Sequence, residues 1–359
     1  MDEKFYSGMA ILGEPLAPRP VTIVVRNGII DKIEDEKHVP NRWICPAFFN
    51  AHTHLGDTVA MDLPCSGDLE SLVTPPSGLK HRILVETPPD LLTNGMKSSV
   101  RSMVRCGTAG FVDFREGGVA GVSFLREACK DLPCRPVILG REGGERISDG
   151  AGISSARDIN SYAEIVTRMR RDGKLVAFHA GEKDGSDIDA ALACEPDLLV
   201  HCTHAAPSQI RAIADAGIPI VICPRSNFLL KVTGSADHPP VREMIKQGVR
   251  ILIGTDNAMF VQPDIMHEIS FAHTIYQIPP VDLLDSATTG FDAAGINHSI
   301  KEGNPVNFNI FDISDSNLQF SHDPVASIVK RSPADRICAR VFYIESKLIE
   351  QPLGGGPHV

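Results

Sequence analysis

Four strings in this sequence pair an apolar run with residues able to hold a metal ion or move a proton. His52 and His54 stand two apart at the end of the run Ile44 to Asn50, so an extended backbone carries both imidazoles on one face, where they can bind one ion together. Taken alone, a His-x-His pair is a weak signal. The run Leu175-Val176-Ala177-Phe178 closes on His179 and, three residues later, Glu182. Packing gives no reason for an apolar strand to end in two ionisable groups, although a hydrogen-bonded rim histidine beside a solvated glutamate would look the same. Leu198-Leu199-Val200 leads into His201-Cys202-Thr203-His204, and Ile251-Leu252-Ile253-Gly254-Thr255 leads into Asp256. His52, His54, His179 and Asp256 form a nitrogen-rich set with one carboxylate, suited to Zn²⁺ or another borderline divalent ion such as Fe²⁺.

These residues must be positioned by the elements that precede them. From Trp43 onward, eight apolar runs recur: 44–50, 110–114, 136–140, a weak one at 151–154, 175–179, 197–201, 218–223 and 250–255. They are too short for helices and mostly lack period-2 alternation, as expected of parallel strands covered on both faces. Helical patterns lie between them, at 89–106, 157–171, 207–216 and 240–247, each stopped by glycine and three of them opened by proline. This alternation over roughly 250 residues predicts an α/β fold, a (β/α)8 TIM-like barrel, with a doubly wound open sheet as the alternative. Residues 21–34 read as a hairpin around Asn27-Gly28, and β-like runs return at 306–311 and 340–344. Both termini are therefore expected to build a small flanking β-sandwich, from 1–43 plus 303–359, beside a barrel over 44–302.

In their order along the chain, Pro46-Ala47-Phe48-Phe49-Asn50-Ala51-His52-Thr53-His54-Leu55, His179-Ala180-Gly181-Glu182, His201-Cys202-Thr203-His204, Cys223-Pro224-Arg225-Ser226-Asn227 and Gly254-Thr255-Asp256 resemble the metal-dependent amidohydrolases. The likeness is to the branch of cytosine, guanine and S-adenosylhomocysteine deaminases and the triazine hydrolases, and it covers nearly the whole chain. It implies that His52, His54, His179 and Asp256 hold one metal ion and that Glu182 is the proton shuttle. It further implies that His201 polarises the substrate or orients the metal-bound water, and that Asp256 also holds the attacking water. No lysine ends the fourth run, where binuclear members carry a bridging lysine, so one ion is expected rather than two. The implied reaction is attack of a metal-activated hydroxide on a ring carbon bearing an exocyclic amine, with release of ammonia. Opening of a cyclic amide or amidine, or displacement of another substituent, is the alternative on the same scaffold; a silent binding protein is the third reading.

Further candidates flank the site. Lys80-His81-Arg82 reads first as a solvated surface run and second as a binder of a substrate carboxylate or phosphate. Arg115-Glu116 and Arg141-Glu142 follow the second and third runs, and can meet substrate or form structural ion pairs. His204 is expected to support the site, Asp57 to serve as a loop hydrogen-bond partner, and His267 and His273 to lie on an outer helix face.

Composition narrows the partners. A net charge of −10, with Arg168-Met169-Arg170-Arg171 as the densest basic cluster, excludes a nucleic-acid stripe. No stretch approaches a membrane span, and the N-terminus lacks a signal-peptide pattern, so a cytoplasmic enzyme of small molecules, free to form a homo-oligomer, is expected. The nine cysteines include no Cys-x-x-Cys spacing, which fits reduced thiols.

Overall fold

The computed structural model describes residues 3–63, 67, 69–157, 162–344 and 347–352. Four strands open the chain: β1 (Glu3–Leu12), β2 (Ala17–Arg26), β3 (Ile29–Asp35) and β4 (Arg42–Pro46). Asn27 and Gly28, joining β2 to β3, both have positive φ (50° and 78°), the conformation a two-residue hairpin turn demands. The next strands are β5 (Phe48–His54), β6 (Thr108–Arg115), β7 (Arg135–Gly140), β8 (Gly150–Ile153), β9 (Leu175–Ala180), β10 (Leu198–His201), β11 (Ile220–Ile222), β12 (Ile251–Ile253) and β13 (Asp256–Asn257). The last three are β14 (Asn307–Asp312), β15 (Ile337–Ile344) and β16 (Lys347–Pro352).

All nine middle strands share one sheet, ordered β12-β11-β10-β9-β8-β7-β6-β5-β13, and every pairing in it is parallel. Only Gly254 and Thr255 separate β12 from β13. The first of these strands pairs with β11 and the second with β5, and Thr255 N donates to His52 O at 3.0 Å, so one run of chain joins the two edges of the sheet. An added Cβ at Gly254 would lie 2.7 Å from the His52 Cβ, so this close approach requires glycine.

The missing alternation in the apolar runs has a packing cause. Val176 and Phe178 join the buried cluster that takes in the surrounding helices, whereas Ala177 joins the other cluster, with Phe49, Val112, Leu139, Val200 and Leu252. Both faces of such strands are thus covered by apolar neighbours, and at about 1.5–3 kcal/mol per fully buried large side chain apolar residues are favoured on both. Polar side chains collect toward the strand ends, and the buried Asn50 and Asp113 within β5 and β6 are satisfied by hydrogen bonds with Thr255 and Leu55.

The terminal strands depart from the expectation. They form one seven-stranded sheet, ordered β16-β15-β14-β4-β1-β2-β3, rather than a sandwich of two facing sheets among the described residues. The run expected to begin the barrel at Ile44 is broken at Ala47: residues 42–46 pair with Phe308–Asp312 in the terminal sheet, and the barrel strand starts at Phe48. The helix expected from Arg157 is described from Tyr162 to Arg171, with 158–161 outside the described residues. No helix is long and apolar enough to cross a membrane.

Candidate active site

The strand ends bring the chemical residues to one place. His52 and His54 both end β5 on the inward face, and the Phe114 ring of β6 stands edge-on to His52 at 4.6 Å. His201 and Asp256 lie in the left-handed region, with φ of 73° and 62°, a conformation that non-glycine residues hold only where their surroundings enforce it. Ser226 Oγ donates to Asp256 Oδ2 at 2.7 Å and leaves Oδ1 facing His52 Nε2 at 3.2 Å and His54 Nε2 at 3.5 Å.

Hydrogen bonds assign the ring protons. His54 Nδ1 donates to Glu116 Oε1 at 2.8 Å, so Nε2 of that ring carries a bare lone pair, and His179 Nδ1 lies between the Ile153 carbonyl at 3.2 Å and the donor Arg141 Nη2 at 3.3 Å. The Nε2 atoms of His54 and His179 lie 3.4 Å apart, and His179 Nε2 is 3.2 Å from His52 Nε2. Unprotonated, nitrogens this close repel unless a cation lies among them, and His52 Nε2 also stands within hydrogen-bond distance of Asp256 Oδ1. Burial keeps the rings neutral, pushing His52 down to about 4 and His54 and His179 well below the usual histidine range, and the neutral imidazole is the form that binds metal. Burial alone would raise the Asp256 carboxyl, but the His52, His201 and His54 rings hold it well below the ordinary carboxylate range. The donor atoms of His52, His54 and Asp256 lie within 4.8 Å of one another, as do those of His52, His179 and His201, so these groups could hold a metal ion.

Beside this cluster lie His201 and Glu182. His201 Nδ1 donates to Asn227 Oδ1 at 3.0 Å, which leaves Nε2 bare, buried and without a hydrogen-bond partner, 3.5 Å from Glu182 Oε1. Glu182 keeps 21% of its side chain exposed, and its partial burial, assisted by the charge of Asp256, pushes its carboxyl above the ordinary range. Both Glu182 and His179 line a cavity of about 550 Å³, whose wall continues through Ser154, Ser155 and Leu230.

A second layer of charge holds the donors. Glu116 Oε1 accepts from His54, from Lys80 Nζ at 2.9 Å and from Arg141 Nη1 at 3.3 Å, while Oε2 accepts from Arg115 Nη2 at 2.6 Å. Arg115 also meets Asp113 at 3.2 Å, and Lys80 lies 3.5 Å from Asp57.

The five candidate substrate contacts lie in different settings. Lys80 is buried, not a surface residue, and is spent on Glu116 and Asp57. Arg115 is buried in its own ion pairs, and Arg141 is tied to Glu116 and the Gly152 carbonyl. Arg82 is exposed, and His204 stands 5.7 Å from the His238 ring. None of the five lines the 550 Å³ cavity. Two further residues gain a place at the site. Asn227, the last residue of the Cys223–Asn227 string, sets the His201 tautomer, and Glu116, which the sequence offered for substrate or an ion pair, sets that of His54.

Comparison with known proteins agrees with this geometry. The model of the amidohydrolase family matches residues 43–339. A Methanothermobacter thermautotrophicus protein named only provisionally as an aminohydrolase is 33% identical over 96% of this chain and 98% of its own length. The chain belongs to the amidohydrolase family. This amidohydrolase is also similar to the 5-methylthioadenosine/S-adenosylhomocysteine deaminase of Moorella thermoacetica, at 27% identity over 59% of this chain and 57% of the other. Among solved structures, atrazine chlorohydrolase of Arthrobacter aurescens, complexed with zinc, superposes with a TM-score of 0.79 at 13% identity, covering 98% of this chain and 96% of that one. The fold is that of the TIM-barrel amidohydrolases. The chain is an aminohydrolase-type enzyme, a hydrolase of carbon–nitrogen bonds in small molecules.

Proposed function

We propose that this amidohydrolase removes an exocyclic amine from a small nitrogen heterocycle, of the nucleobase, nucleoside or pterin kind, by adding water and releasing ammonia. The observation that carries the proposal is the position of Glu182, whose raised carboxyl sits at the cavity wall, 3.5 Å from His201 Nε2 and next to the histidine–aspartate cluster.

His52, His54, His179 and Asp256 would hold one divalent ion, zinc by preference of the donor set. When bound, such an ion supplies Lewis acidity and lowers the pKa of water toward roughly 7. The chain's own residues handle the proton. A carboxyl held above its usual range is a better proton acceptor than an ordinary one, so Glu182 accepts a proton from water and delivers it to the ring nitrogen. His201, its Nδ1–H fixed on Asn227, presents a lone pair that accepts from the attacking water and orients it. Asp256 Oδ1, free of the Ser226 bond, supplies a second acceptor for the same water. The deaminase activity named for the Moorella relative favours loss of an amine over ring opening.

The same reading takes 1–46 with 303–359 as a composite β unit beside a barrel that begins at Phe48, and places the enzyme in the cytoplasm. The eight described cysteines, all free, suit a reducing compartment.

The test follows the nitrogen. Metal-replete enzyme, offered aminopurines, aminopyrimidines, aminopterins and their nucleosides, should release ammonia in equal amount to product from at least one of them. Release of none, together with opening of a lactam or hydantoin-like ring, would replace deamination by cyclic-amide hydrolysis.

A further inference from the structure

The end of the barrel opposite the catalytic mouth holds a larger cavity, about 1050 Å³, between the beginnings of β6 and β7 and the terminal strands β14–β16. Its charged wall is one-sided: Lys130, Arg135 and Arg340 face a single acidic residue, Asp131, among the described residues. Arg340 is 2% exposed. Its hydrogen bonds run through Nη1, to the carbonyls of Thr108 and Pro133, and its guanidinium carbon stands 4.6 Å from the centre of the Phe342 ring. The Nε atom is buried and has no partner, and no carboxylate pairs with this guanidinium among the described residues.

Other buried cations of this protein are treated differently. Lys80 and Arg115 each sit against two carboxylates. A cation buried without an anion is costly, and burial pulls the Arg340 pKa down to about 10, which still leaves it charged at neutral pH. Among the described residues, no carboxylate is paired with this guanidinium, and Asp131 is the one acidic residue on the cavity wall. The His298 ring on the same wall donates from Nδ1 to the Ala47 carbonyl, and burial, with Arg340 and Arg135 both in range, holds it neutral at about 4.

We propose that this cavity is a binding site for a small organic oxyanion, its carboxylate or phosphate seated on Arg340 and Arg135 and its apolar body against Phe342. A guanidinium is the side chain best matched to such a group, because its planar fork donates two parallel hydrogen bonds. Apolar wall residues such as Leu132 and Ile349 and a volume of about 1050 Å³ make room for a metabolite-sized molecule rather than a bare ion. The site is separate from the catalytic mouth and does not depend on the reaction assigned there.

Calorimetric titration and thermal shift on the full, metal-loaded enzyme test this with three probes that carry no amine: inorganic phosphate, citrate and phenyl phosphate. The expected result is saturable binding at one site per chain, with a rise in Tm. Preference for phenyl phosphate over citrate identifies a phosphorylated ligand, and the reverse identifies a carboxylate. Arg340→Met should weaken binding by roughly 10- to 100-fold, the size of one charge-assisted hydrogen bond. Arg135→Met, whose guanidinium bonds only the carbonyls of Ala294 and Gly295, keeps the test open if the first variant fails to fold, and should weaken binding in the same direction. Absence of saturable binding by all three probes up to ~10 mM, or affinities unchanged in Arg135→Met, would overturn the proposal.

Discussion

The two ends of this barrel handle buried charge in opposite ways. At the catalytic mouth, Lys80, Arg115 and Arg141 interlock with Asp57, Asp113 and Glu116, so that each charge lies beside its opposite and Glu116 can hold the His54 ring in one tautomer. At the far end, Arg340 is buried against carbonyls and a phenyl ring, with no carboxylate paired to it among the described residues. A closed ion network fixes geometry and spends its charges internally. An unpaired guanidinium is the kind of group that a ligand must complete.

The sharpest way to break the mouth is to remove one of its donors. His179→Ala should lose metal and turnover together, by elemental analysis and ammonia release. Glu182→Gln should keep the metal and the fold while turnover falls by roughly 100- to 10,000-fold, because only the proton carrier is gone. Equal metal loss in both would place Glu182 among the ligands instead.

A second pair of variants compares the ends directly through urea denaturation. Arg115→Met strands Asp113 and Glu116 as buried, less compensated carboxylates and should cost about 3–5 kcal/mol of stability. Arg340→Met leaves no uncompensated buried charge, only two carbonyls without their donor, and should cost about 1–3 kcal/mol. If Arg340→Met proved as costly as Arg115→Met, a compensating charge at the far end would have been overlooked. The smallest effect belongs to Arg82→Ala, which removes an exposed side chain outside the cavity wall. It should change stability by less than about 0.5 kcal/mol and leave kcat/KM for any anionic substrate unaltered.

Much of the catalytic mouth was legible in the amino-acid sequence because the relevant information is local. Strands covered on both faces must be apolar along their length, so ionisable residues collect at their ends, and His52, His54, His179, His201 and Asp256 could be read from that rule and from their spacing. The second layer was not legible. Lys80 and Arg82 lie two apart on the helix Leu79–Glu86, roughly 200° around its axis, so one is driven into the site when the other faces water. Sequence spacing says they diverge, but not which of them docks. Glu116 could equally have been a surface ion pair until β5 brought His54 to within 2.8 Å of it. The terminal sheet shows the same limit, since Arg42–Pro46 reads as the start of the barrel until Phe308–Asp312, far along the chain, pairs with it. The sequence alone determined the kind of strand, the kind of end and the donor set. Tertiary structure decided which charges were paired and which, at Arg340, met no carboxylate among the described residues, because a charge is neutralised by whatever lies near it in space, and nearness between distant segments is created only by folding.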